Sequence, residues 1–446
     1  MLAVRHRGRT GQVRTRASGL PAPGERRVAG ISELPEAADP AAHGLDAGRL
    51  RRAGDYLGRY VDAGKLPGWQ LVVARGGAVV WHQCRGLADV EAGVPVRADT
   101  VWQLRSMTKP VTSVAAMILY EDGAFGLDDP IGRWLPEFGA PRVYRYGPPQ
   151  DMGTVPSPEP IRVRHLLTHT AGLSYGFHEV HPVDALYRAA EEEPGWAGAD
   201  LAARCRRWAA MPLVYEPGTR WLYSVATDVL GRLVEVASGR RLDEFFAERI
   251  LGPLKMTDTA FWADGDRGRR LAAAYALDPA GGGLARDDEA RERGTSPPAF
   301  LSGGGGLTGS AGDYHRFTQF LLRGGELDGV RLLGPRTVAL MFANHLPAGA
   351  SYAELQPEPP AWQRAPGLGF GLGFGVVTDP PAAGSPASAG TGFWSGALNT
   401  EFFADPAEDL AAMLFTQVTP YGAVPLQRDL AQLVYPAVTG RGRAAV

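Results

Sequence analysis

Two apolar runs, residues 69–74 and 78–81, flank Arg75-Gly76-Gly77 and read as a β-hairpin closed by a glycine turn. A lone hairpin is at best marginally stable, so it needs further strands or a helix to cover it. The strand patterns that could supply these stand at the far end of the 446-residue chain. They are 399–404 and 410–417, separated by the turn Asp405-Pro406-Ala407-Glu408-Asp409. Residues 367–376 also alternate strictly, Gly against Leu, Phe or Val, and read as one strand. The middle of the chain is largely helical. This pattern predicts an α/β (α+β) domain built from both chain ends, with a mainly helical domain inserted between them.

The helices follow from apolar spacing. Leu50, Ala53, Leu57, Tyr60 and Val61 recur at helical intervals, and Gly64 is placed to stop that helix. Val111, Val114, Ala115, Ile118 and Leu119 mark a second helix after Ser106. Others are expected over 227–236, 242–250 and 426–438. Residues 1–43 differ from the rest: the first 27 hold seven arginines against one acid, Glu25, with no apolar core of a secretory signal. A disordered leader is expected there. The domain boundaries read as 44–110 with 298–446 for the α/β part and 111–297 for the helical part, any functional site being expected between them.

Bulk properties exclude several classes. The net charge is −2, so no global attraction to nucleic acid or an anionic membrane is expected. No apolar run reaches the 18 or so residues of a membrane span. Two cysteines, Cys84 and Cys205, exclude a disulfide framework and lack the pairing of a zinc site. No cofactor or metal is expected, and the location is read as cytoplasmic.

Nearly all basic residues are Arg; the three lysines are Lys65, Lys109 and Lys255. Lysine is the basic side chain that a desolvating site can turn into a neutral base. Of the three, only Lys109 has a serine three residues upstream, in Ser106-Met107-Thr108-Lys109. At the start of a helix the two lie on one face, one turn apart. A serine hydroxyl is a poor nucleophile until a neighbouring base takes its proton. S-x-x-K alone is weak, since a capping serine and a solvated lysine give the same tetrapeptide.

The context is more specific. Downstream come His165-Leu166-Leu167-Thr168-His169-Thr170-Ala171-Gly172-Leu173, Glu216-Pro217-Gly218, Tyr223-Ser224-Val225, Gly303-Gly304-Gly305-Gly306-Leu307 and Trp394-Ser395-Gly396. In this order they resemble the serine β-lactamase and penicillin-binding-protein superfamily over roughly 45–440, most nearly the family VIII carboxylesterases. The resemblance implies a class C β-lactamase-like fold, with an antiparallel sheet flanked by helices. It implies Ser106 as nucleophile, Lys109 as its partner base and Tyr223 as base and acid, with the backbone N–H groups of Ser106 and Ala397 as the oxyanion hole. Val225 stands where lactamases carry Asn, and Trp394-Ser395-Gly396 stands where they carry K-T-G or H-x-G. Together Val225, Trp394, Ser395 and Gly396 would meet the substrate. Both departures favour a neutral, fairly apolar small-molecule ester, with short or moderately apolar acyl groups, over a lactam. Acyl transfer to an alcohol is compatible with the same chemistry. A β-lactamase or D-amino-acid peptidase of this fold, and a non-catalytic binding relative, are the alternatives. Oligomeric state is not legible.

Several patterns compete. Gly172-Leu173-Ser174-Tyr175-Gly176 fits the G-x-S-x-G nucleophile elbow, but 164–170 looks helical where that motif needs a strand. His165 and His169 lack the Glu of H-E-x-x-H and read as structural. Asp405 and Glu408 read as turn residues. Among the aromatics Tyr175, Phe177, Trp362, Phe370, Phe393 and Trp394, only Trp394 has motif support for lining an acyl pocket; core packing is expected of the others.

Overall fold

In the computed structural model, residues 34–278, 283–355 and 366–440 are described. Strand β1 (Gly68–Arg75) is buried along its whole length. Its period-two alternation therefore feeds two cores. Leu71 and Val73 pack with helices α1 (Ala47–Asp62) and α6 (Leu426–Val434) on one side, and Val72 faces the main core on the other. β1 pairs with β2 (Ala78–Asp89) through the expected hairpin, whose turn glycines Gly76 and Gly77 have φ of 61° and 81°. The remaining strands are β3 (Val94–Pro95), β4 (Leu368–Phe370), β5 (Gly375–Val377), β6 (Gly392–Gly396), β7 (Thr400–Asp405) and β8 (Leu410–Phe415). They form one eight-stranded sheet in the order β4-β5-β6-β7-β8-β1-β2-β3, antiparallel throughout. Val72 stands opposite Met413 of β8 and His82 of β2. The two ends of the chain thus meet at the centre of the sheet.

Arg75 fastens this junction. It is 1% exposed and donates to the carbonyls of Gly44 (2.9 Å), His43 (3.2 Å) and Gly440 (2.9 Å), while Nη2 meets Glu408 at 2.5 Å. Glu408 is therefore a structural ion-pair partner, and Asp405 accepts from the Tyr435 hydroxyl at 2.8 Å. On the opposite sheet face lie α2 (Lys109–Glu121), α3 (Ala226–Ser238) and α5 (Ala311–Leu322), whose apolar residues share one core with Phe402 and Phe415. α2 is buried from Lys109 to Leu119, so it is apolar around most of its circumference.

Four expectations need adjustment. The alternating stretch 367–376 is a hairpin, not one strand: β4 and β5 pair antiparallel and the chain reverses at Gly371-Leu372-Gly373. Gly373 has φ 109° and a Cβ there would lie 2.0 Å from Ser113 Oγ, so only glycine fits. Within 111–297, Ala274–Asp278 and Gly283–Asp287 form a hairpin, and the first strand pairs in parallel with Val418–Thr419. Residues 1–33 of the expected leader and Trp362 lie outside the described residues. The rest of that leader is ordered: Pro40–His43 form a 3-10 turn capped by Asp39, and Ala38 N donates to Val79 O. The expected helix 426–438 ends at Val434 and continues as a 3-10 turn to Ala437.

Candidate active site

Ser106 sits in a 3-10 turn, Arg105–Thr108, that runs directly into α2. The turn is pinned from both sides. Leu104 N donates to Leu307 O, and the Leu104 carbonyl accepts from Thr400 Oγ1 at 3.2 Å. The residue before the serine, Arg105, has φ 49°, a left-handed conformation that costs a side-chain-bearing residue energy. Such a conformation before a reactive side chain is a common functional signature.

One helical step on, Lys109 is 1% exposed. Its Nζ lies 3.3 Å from Ser106 Oγ, 3.2 Å from Tyr175 Oη and 2.7 Å from the carbonyl of Gly304. Tyr223 donates its hydroxyl to Ser106 Oγ at 2.7 Å, and its ring lies under the lysine, 4.5 Å from Nζ. The serine oxygen thus has an amine and a phenol on it at once. This geometry can take a proton from the hydroxyl and return it to a leaving group.

Each partner is held from behind. Asp228, buried at the start of α3, accepts from Ser302 Oγ (2.6 Å) and Gly304 N (2.9 Å), which orients the Gly304 carbonyl toward Lys109. Burial raises the Asp228 carboxyl, while the Lys109 charge opposes that rise. The Tyr223 carbonyl meets His178 Nε2 at 2.5 Å, and its ring packs on His169 (4.9 Å) and Trp394 (5.5 Å). Burial pushes the Tyr175 hydroxyl well above its ordinary value, so it is held protonated.

β6 ends beside the serine. A Cβ at Gly396 would lie 2.4 Å from the Leu104 carbonyl, so glycine is required for the strand to approach the serine turn this closely. Ala397 follows, exposed and lining the same cleft as Ser106, Tyr223, Val225 and Trp394. That cleft is about 1260 Å³.

The structure brings Ser106, Lys109, Tyr223, Val225, Trp394, Ser395, Gly396 and Ala397 to one cleft. It separates the competing candidates from it. Ser174 is fully buried and donates to Asp184 at 2.6 Å. His165 accepts from Arg162 N, and His169 bonds Ser224, so both histidines are structural. Lys65 is exposed, and Lys255, at φ 53°, faces Asp328 at 4.0 Å. Among the described residues no group of three or more His, Cys, Asp or Glu could hold a metal, and no helix is long and apolar enough to cross a membrane. Cys84 and Cys205 are unpaired.

Tyr175 is the functional contact that sequence reasoning assigned to core packing. Its hydroxyl is on the lysine, and it stacks on the exposed Phe177 at 4.7 Å. Only its place after the His165–Leu173 segment hinted at this. Gly304 showed only as one glycine of the 303–307 motif, with no signal for its carbonyl, and Asp228 carried no local signal.

Comparison with known proteins identifies the family. The family described as Beta-lactamase matches residues 54–435. Esterase EstB of Burkholderia gladioli is 34% identical over 416 residues, covering 89% of this chain and 98% of its own. Among solved structures, EstCE1, described as a hydrolase with promiscuous acyltransferase activity, superposes with a TM-score of 0.70 at 29% identity over 88% of this chain and 98% of its own. Simvastatin synthase (LovD) from Aspergillus terreus gives a TM-score of 0.74 at 26% identity, over 87% and 98%. The chain therefore belongs to the β-lactamase family and, within the serine β-lactamase-like superfamily, stands close to the family VIII carboxylesterases.

Proposed function

We propose that the protein is a serine carboxylesterase in which Ser106 attacks the ester carbonyl. Lys109 and Tyr223 together take the hydroxyl proton. The backbone N–H groups of Ser106 and Ala397 hold the tetrahedral oxyanion; one such donor is worth about 100- to 1000-fold in rate. Tyr223 then returns the proton to the departing alcohol, and water or a second alcohol resolves the acyl-enzyme. The observation that carries this is Tyr223 Oη at 2.7 Å and Lys109 Nζ at 3.3 Å from the same serine oxygen.

Val225 and Trp394 present apolar surface where a lactamase would place an amide and a cation, which favours esters over lactams. Ser395 and Gly396 complete that wall beside the scissile bond. Transfer to an alcohol is supported by the cleft, whose volume of about 1260 Å³ exceeds the roughly 300–1,000 Å³ of ordinary ligand pockets. Its lining comes both from 44–110 with 298–446 and from 111–297, in keeping with a site between an α/β and a helical domain. A cytoplasmic location belongs to the same reading and is supported by the unpaired Cys84 and Cys205.

The test is hydrolysis of p-nitrophenyl butyrate by the wild type and by Ser106→Ala. Turnover that vanishes in the variant is expected. Equal turnover in both would remove Ser106 from the chemistry, and rapid turnover of a chromogenic cephalosporin instead would favour a lactamase.

A further inference from the structure

The cleft contains a cation that the esterase mechanism does not use. The Arg105 side chain lines it next to the nucleophile. Arg105 makes no hydrogen bond and no ion pair among the described residues, although every other arginine lining the cleft has at least one partner: Arg204 donates to two carbonyls and Arg293 meets Glu289 at 3.2 Å. Acids stand nearby but are engaged or remote. Asp287 caps helix α4 (Asp288–Thr295) through Ala290 N at 2.9 Å and faces Arg293 at 3.9 Å. Glu289 is held by that same Arg293, and Glu292 stays exposed on the rim. Burial, then the repulsion of Arg293, brings the Arg105 guanidinium down to about 10, so it stays charged at neutral pH.

A half-buried guanidinium without a protein partner has lost part of its hydration with nothing to replace it. The backbone that presents it is strained as well, at φ 49°, and is locked by the Leu104 contacts and by the approach of Gly396, whose Cβ would lie 3.3 Å from Arg105 Cβ. Two unfavourable features at one residue beside the nucleophile indicate a partner that arrives with the substrate. The guanidinium fork matches a carboxylate in two-point geometry.

We propose that Arg105 is a specificity residue that binds a carboxylate on the substrate, so that the preferred substrates are esters carrying a free acid group. This rests on the Ser106 esterase reading. The acid can lie on the acyl part, as in a dicarboxylic half-ester, or on the alcohol part.

The experiment compares kcat/KM for matched pairs. Mono-p-nitrophenyl glutarate against its methyl ester tests the acyl side; 4-butyryloxybenzoate against its methyl ester tests the alcohol side. In the wild type one acid is expected to be preferred over its neutral partner by about 10- to 100-fold, the range of a hydrogen bond to a charged group. In Arg105→Met and Arg105→Gly that ratio should collapse toward one. The two variants remove the charge with opposite effects on the strained backbone, so a shared loss is a loss of charge recognition. Arg105→Lys should restore part of the ratio. Without any variant, glutarate should inhibit p-nitrophenyl butyrate hydrolysis by the wild type competitively, and glutaramide should not. No acid preference in either pair, a preference that survives both variants, or equal inhibition by the two small molecules would overturn the proposal. Failure of the esterase reading looks different: neutral esters would then be untouched by Ser106→Ala.

Discussion

Replacing Tyr223 by Phe removes one oxygen and little else. The phenyl ring keeps its packing on His169 and Trp394, at 4.9 and 5.5 Å, and stays under the Lys109 amine at 4.5 Å. What is lost is the 2.7 Å bond to Ser106 Oγ and the proton path through it. A positioned acid–base group contributes about 100- to 10,000-fold, so kcat should fall by that factor, about 3–5 kcal/mol of barrier. Stability should change by only about 1 kcal/mol, the net worth of one hydrogen bond. Tyr175→Phe is the matched control, because Tyr175 Oη reaches the same lysine at 3.2 Å from the other side. It should cost only about fivefold, the equivalent of about 1 kcal/mol. Steady-state kinetics with p-nitrophenyl butyrate, alongside thermal unfolding, reads both quantities. If Tyr175→Phe were the crippled variant and Tyr223→Phe stayed within tenfold of the wild type, the assignment of proton transfer to Tyr223 would be wrong.

Ser174→Ala should leave kcat unchanged and lower stability by about 1–3 kcal/mol, since it removes one of the hydrogen bonds that the buried Asp184 carboxylate accepts and leaves those from Val180 N and His181 N; lost turnover would reinstate the G-x-S-x-G serine. Arg75→Met should destabilise by about 3–5 kcal/mol in urea unfolding, because Glu408 and the carbonyls of residues 43, 44 and 440 lose their donor; a change under about 1 kcal/mol would refute the clasp. Burial, then Arg316 and Arg323, lowers His315 to about 4, so the folded state binds fewer protons than the unfolded chain below pH 6.5. The stability its neutral form confers is present above pH 6.5 and fades as pH falls toward 4. The stability gap between wild type and His315→Asn should therefore shift against the wild type by about 2 kcal/mol from pH 7 to 5; a constant gap would contradict it. Comparing against the variant cancels the opposite contributions of Asp228 and Glu401, whose carboxyls burial raises.

The elements that sequence reading located were those whose signal is local. α1, α2 and the β1–β2 hairpin follow from apolar spacing and two turn glycines, because one neighbouring layer selects each pattern. Ser106 and Lys109 share a helical turn, so their meeting is a matter of spacing. Tyr223 lies 117 residues further on and was legible only as part of an ordered set of motifs. The 367–376 stretch misled because alternation in sequence survives a tight hairpin: Gly369 stands opposite Val376 and Gly375 opposite Phe370, so the glycines of the two arms lie on opposite faces, and Gly373, pressed on Ser113, marks the turn. Tyr175, the Gly304 carbonyl and Arg105 were not legible as a site. Their roles come from long-range approach and, for Arg105, from the lack of a partner among the described residues, which no one-dimensional pattern encodes.

A sheet closed from both ends also has a timetable. β1 is buried along its length in the folded protein, yet β8, the strand that covers its edge, begins at Leu410. At about 5–20 residues per second, the ribosome needs roughly 20–70 s to travel from one to the other. Through that interval β1 and β2 stand as an open, aggregation-prone edge. The wall bearing Trp394 and Ala397 emerges in the same late window, after the serine, lysine and tyrosine have all been made. Catalytic competence is thus among the last properties the growing chain acquires, and nascent chains arrested before residue 392 should be inert and chaperone-dependent.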